Sequence, residues 1–104
     1  MDAIDDFVAH VTGTGFDDVP AEAVRSAKIF ILDSFGVGLS GGAGPWVDEM
    51  IQLAAQWGQG DDARVWGHGQ HLPAPAAALC NAYQIHNAEF DCVHEGAVVH
   101  SMTV

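Results

Sequence analysis

Apolar positions recur at helical spacing along most of this chain. Ile4, Phe7, Val8 and Val11 form one apolar face, which predicts a short helix over residues 2–12, ended by Gly13-Thr-Gly15. Asp17-Asp18 opens the next element. Pro20 suits a first-turn position and Glu22 complements the positive end of a helix dipole. Ala23, Ala27, Phe30, Ile31, Ser34, Phe35 and Gly38 then run down one side, and Val24, Ile29 and Leu32 widen the apolar surface. That pattern predicts a helix over residues 20–40, buried on most sides. The small residues Gly36, Gly38 and Ser40 invite close approach by another helix, and Gly41-Gly42-Ala43-Gly44 stops the run.

A third helix is predicted from Pro45 and Trp46, carried by Val47, Met50, Ile51, Leu53, Ala54 and Trp57. Residues 58–62 read as a loop. Residues 63–67 read as a short β-like edge segment, followed by a turn-rich connection through His71. Pro73 and Pro75 seed a fourth helix over residues 76–86, whose alanines permit tight packing. The fold class that follows is mostly α, a portion of a helical bundle with at most one short β segment. Trp46, Trp57 and Trp66 are read as packing residues, and His10, His68 and His71 as exposed.

Composition narrows the function. The chain has 104 residues, one domain or part of one, with 49% apolar and 16% charged residues, a balance that suits a globular interior. Its formal charge is −11, with only Arg25, Lys28 and Arg64 positive. Such a surface repels phosphate backbones and anionic membranes, so nucleic acid and membrane are excluded as expected partners. No apolar run approaches the ~20 residues that span a bilayer. The acidic N-terminus fits neither a signal nor a transit peptide. Cys80 and Cys92, the only cysteines, read as free thiols in a reducing cytoplasm. A small buried thiol is preferred to a nucleophile at Cys92.

Candidate chemistry gathers at the end of the chain. Residues 81–101 hold His86, His94 and His100 together with Glu89, Asp91 and Glu95. His86 and Glu89, three apart, would share a helix face, with Asp91, His94 and His100 following in a loop. Three readings stay open on the residues alone. His-x-x-Glu with further His and Asp ligands could hold zinc or iron, although no complete metal motif is present. The same groups could move protons without a metal, as general acid and base beside a substrate carboxylate. They could also be hydrogen-bonded polar side chains at a helix end. The glycine-rich stretches 36–38 and 41–44 lack a preceding strand and a P-loop lysine, which argues against nucleotide binding.

Several blocks, in order, resemble one family. Pro20-Ala-Glu-Ala-Val-Arg25 leads to Ala27-Lys28 and Leu32-Asp33-Ser-Phe-Gly36-Val-Gly-Leu-Ser-Gly41. Val65-Trp-Gly67 and Leu72-Pro73-Ala-Pro75-Ala-Ala-Ala78 follow, and the stretch from Asn81 through His86 and Asp91 to His100 closes the match. Together they are similar to the N-terminal part of the helical domain of MmgE/PrpD proteins, which include 2-methylcitrate dehydratase, cis-aconitate decarboxylase and iminodisuccinate epimerase. The family motif His-Ala-x-Asp-Phe-Asp-Asp-Thr, with a later His-Pro, maps onto this chain position by position. His86 matches the first His, Glu89 stands for the first Asp and Asp91 matches the second. Cys92 replaces the third Asp, Val93 the Thr and Ser101 the Pro, while His100 matches the later His.

The resemblance implies a cofactor-free lyase or isomerase for small polycarboxylic acids, homodimeric, with its cleft between a helical domain and an α/β lid. On that expectation residues 1–104 supply one wall of the cleft. The lid, the C-terminal helices and a catalytic lysine come from elsewhere, which accounts for the missing positive charge. Glu89, Asp91 and His100 are the expected catalytic groups, with His86 and His94 binding substrate; no metal or other cofactor is expected. The chain alone is expected to be inactive. The alternative is a non-catalytic remnant or assembly piece that needs a complementing chain.

Overall fold

The computed structural model of this protein describes residues 2–100. The order is α1 (Ala3–Gly13), α2 (Ala21–Gly41), α3 (Val47–Ala54), β1 (Ala63–Arg64), β2 (His71–Leu72) and α4 (Ala74–His86), with a 3₁₀ turn at Phe16–Asp18. The mostly α expectation holds. Asp2 caps α1, accepting the Ile4 amide while Asp5 reaches back to the Asp2 amide. Pro20 and Pro73 stand at the N-caps of α2 and α4, where a missing N–H costs nothing. Helix α4 begins two residues earlier than its pattern predicts, because Pro75 fits its first turn.

α4 is the organising element: α2, α3 and both strands pack on it. Val47, Ile51 and Ala54 from α3 meet Ala76, Ala77 and Cys80 from α4, with Val65 and Leu72 closing the core. The strands are antiparallel, Ala63 opposite Leu72 and Arg64 opposite His71. The second strand, and His71 within it, were not expected from the sequence, since two residues carry no readable alternation. Gly67 and Gly69 take positive φ in the connecting turn.

Helix α2 departs from its pattern. It buries only Ser34, Gly38 and Gly41, while Ile29, Phe30, Ile31, Leu32, Phe35 and Leu39 are exposed. The contact with α4 is a seam of small residues, and the large apolar side chains point away from it. Of the small residues expected to admit a neighbour, Gly38 does so against Ile85 and Trp66, whereas Gly36 faces open space and Ser40 is exposed. Helix α1 buries no residue, so its apolar face is also exposed. Trp46 and Trp57 are exposed rather than packed; only Trp66 packs, edge-on against Phe35 with centroids 4.8 Å apart.

Buried polar groups tie the strands to α4. Asn81 accepts the Trp66 amide (2.9 Å) and donates to the Arg64 carbonyl (3.0 Å), and Gln84 donates to Asn81 (3.2 Å). Gln84 Oε1 lies 3.1 Å from His68 Nε2, which must carry the hydrogen. His68 Nδ1 lies 3.6 Å from Asp48. His68 is therefore half-buried, correcting its expected exposure: a loop residue becomes interior when a helix side chain far along the chain reaches it. His10 and His71 are exposed, as expected.

Both cysteines are free thiols, Cys80 buried in the core and Cys92 half-buried. Burial raises the Cys80 thiol above its ordinary value. Its contribution to stability is present below the ordinary thiol range and is lost as pH rises. At mildly alkaline pH, iodoacetamide should label Cys92 in the native protein and Cys80 only after denaturation, read by peptide mass spectrometry. Native labelling of Cys80 at the rate of Cys92 would contradict this packing.

Candidate active site

The site is built at the C-terminal end of α4. The helix ends at His86, and Asn87 forms the cap. Asn87 Nδ2 donates to the carbonyls of Gly41 and Pro45 (3.3 Å each), and Tyr83 donates its hydroxyl to the Pro45 carbonyl (3.1 Å). The end of α4 is thus clamped to the turn between α2 and α3. The sequence reading missed this clamp, because the partners of Tyr83 and Asn87 lie about forty residues earlier in the chain.

Beyond the cap the chain turns sharply. The Glu89 amide donates to the His86 carbonyl (2.9 Å), and Glu89 adopts φ 53°, in the left-handed region. The expectation that Glu89 shares a helix face with His86 is therefore corrected: the helix has ended, and Glu89 is exposed. Asp91 folds back inside. A short loop then closes on itself, with the His94 amide donating to the Val99 carbonyl (2.8 Å). Val98 within it takes φ 50°, an uncommon conformation for a β-branched residue. This closure returns His100 to Asp91.

The Asp91 side chain is wholly buried. His86 Nδ1 lies 3.4 Å from its Oδ1 and His100 Nδ1 lies 3.0 Å from its Oδ2. The two rings meet edge to face, with centroids 4.3 Å apart. A carboxylate accepts only, so each Nδ1 that bonds it must carry the hydrogen. That fixes the tautomer and places Nε2 on the far side of each ring from Asp91. Both imidazoles remain partly open to solvent.

Of the five residues singled out in the sequence, the structure gathers His86, Asp91 and His100. Glu89 and His94 are exposed on the same loop. Cys92 is half-buried and Val93 exposed, and Ser101 lies outside the described residues. A groove beside α4 is lined by residues that include Trp66, Ala74, Ala78, Ala82 and Ile85, and His86, Asp91 and His100 are not among them.

The model of the MmgE/PrpD N-terminal domain matches residues 5–104. The chain belongs to the MmgE/PrpD family. It is 33% identical to a cis-aconitate decarboxylase of Aspergillus terreus over 88 residues, which are 85% of this chain and 18% of that protein. A cis-aconitate decarboxylase-like protein of Aspergillus oryzae, oryM, is 30% identical over 84% of this chain and 18% of its own length. The mouse cis-aconitate decarboxylase is 28% identical over 82% of this chain, again 18% of its length. The chain therefore spans about a fifth of the length of these relatives. No solved structure matches it. Among the described residues, no helix is long and apolar enough to cross a membrane.

Proposed function

We propose that this chain supplies one wall of the active site of a lyase or isomerase that removes a proton beside a carboxylate of a small polycarboxylic acid. The observation that carries the reading is the buried Asp91 carboxylate held between two imidazoles, in a family whose relatives here are named cis-aconitate decarboxylases. Decarboxylation, dehydration and epimerisation of such acids share a carbanion-like intermediate, which needs positive charge and hydrogen bonds beside it.

In this reading Asp91 is a positioning residue. It holds both rings through Nδ1–H, so Nε2 is the nitrogen that accepts or returns a proton. His100 moves the proton or meets a substrate carboxylate, and His86 orients the group from the helix end. Glu89 and His94 flank the loop and meet the substrate when the opposite wall of the cleft covers it. That wall would also bring the positive charge that Arg25, Lys28 and Arg64, all exposed, leave unsupplied here. The reading places the protein in the cytoplasm as a homo-oligomer, a compartment that suits two free thiols.

The test is His100→Ala in the full-length protein, assayed for loss of cis-aconitate and related tricarboxylates. Turnover should fall by a factor on the order of 10²–10⁴ with the melting transition retained. Activity near wild type would remove His100 from the chemistry.

A further inference from the structure

We propose that His86, Asp91 and His100 form a binding site for a borderline divalent transition metal, Zn²⁺ or Co²⁺, and that an ion bound there inhibits the protein. The three residues each offer one ligand atom, all within 4.8 Å of one another. Two neutral imidazole nitrogens and one carboxylate are the donor set that such ions favour over Mg²⁺ or Ca²⁺, which prefer all-oxygen shells. His86 Nδ1 lies 3.4 Å from Asp91 Oδ1 and His100 Nδ1 lies 3.0 Å from Oδ2, so each imidazole already stands near one carboxylate oxygen at about the ligand–ligand edge of a tetrahedral zinc site, about 3.3 Å for bonds near 2.0 Å. A bound ion would draw the widest pair of donors toward that edge.

Three protein donors leave a further position on the ion for water. The donors also sit where an ion can reach them. His86 and His100 are partly open, and the chain carries a formal charge of −11, which concentrates dications at its surface. Binding needs a shift of hydrogens beside the small closing of the donors. The hydrogen on each Nδ1 moves to Nε2, so that Nδ1 presents its lone pair to the ion and one Asp91 oxygen completes the set. No proton is gained or lost overall.

The consequence is inhibition. With hydrogens on both Nε2 atoms and both Nδ1 lone pairs committed, neither ring can accept a proton from a substrate. The binding rests on geometry alone; the inhibition rests on the function proposed above.

The two separate in one experiment on the intact full-length protein. Co²⁺ is titrated while its visible absorption is followed, and Zn²⁺ is then added to displace it. The expected result is one strong tetrahedral or five-coordinate Co²⁺ spectrum per chain from this site, abolished by Zn²⁺ and unaffected by excess Mg²⁺. His86→Ala or His100→Ala should weaken Co²⁺ binding more than about 100-fold, since loss of outer hydrogen-bond partners alone costs about 10–100-fold. His10→Ala, at an exposed position on α1, should leave it unchanged. A weak octahedral spectrum, or one that survives both site substitutions, overturns the site. Site-specific binding without loss of turnover keeps the site and overturns the inhibition.

Discussion

Asp91→Asn is expected to lower turnover of the full-length protein by a factor on the order of 10²–10⁴, with the fold retained. Asparagine matches aspartate in shape, so the buried space stays filled. What changes is the pattern of donors and acceptors. The carboxylate accepts from Nδ1 on both His86 and His100. The amide keeps one accepting oxygen and presents an NH₂ to the other ring. That ring must then turn its bare nitrogen inward and carry its hydrogen on Nε2, the position from which a proton would be accepted.

The stability effect should be small beside this. Removing a buried charge offsets part of the hydrogen bonding lost with it. Steady-state kinetics paired with thermal melting separate the two effects. Near-normal turnover would mean that Asp91 only packs the loop, whereas loss of folding would mean that the carboxylate is chiefly structural.

Gly41→Ala should be the more damaging substitution for stability, costing about 3 kcal/mol or more. Gly41 is the last residue of α2 and is buried against α4. A Cβ there would run into the Gln84 backbone carbonyl, with its carbon at 3.0 Å. The obstacle is helix backbone, not the end of a flexible side chain, so the two helices would have to part. Gly36 in the same helix makes the control. A Cβ there meets nothing within 4 Å, and alanine in place of glycine within a helix stabilises by about 0.5–1 kcal/mol. Urea midpoints of the two variants should therefore move in opposite directions. Equal shifts of the same sign would disprove the close α2–α4 approach.

The glycines at 41, 42 and 44 show where sequence reading reaches its limit. They read as a flexible stop for α2, and α2 does end there. Gly42, however, caps the helix in an ordinary right-handed conformation. The reason for glycine at 41 and 44 is space, against Gln84 and Asn87 of a helix more than forty residues on. Local pattern carries no information about such a neighbour. The same limit explains α2, whose periodicity marks an apolar surface but not which side meets α4. It explains His68, half-buried through Gln84.

Legibility was better where the cause is local. Prolines mark the starts of α2 and α4 to within two residues, and periodicity marks the length of α2. In the site, family-motif positions picked out His86, Asp91 and His100, and the structure gathers these three. Glu89 was misplaced on the helix because spacing of three implies a shared face only while the helix continues. A left-handed residue ends that relation, and glutamate gives no sign of one.

The clamp at Pro45 bears on where the chain tolerates change. Turns between helices are usually the easiest places to lengthen a protein, because added loop costs little closure entropy and touches little else. Here the carbonyl of Pro45 receives both Tyr83 and Asn87, so the turn is part of the mounting of His86. Residues inserted between Gly42 and Pro45 would shift the His86 end of α4 along with the turn. This connection is a poor place for tags, fusions or circular permutation, although it looks like the natural choice.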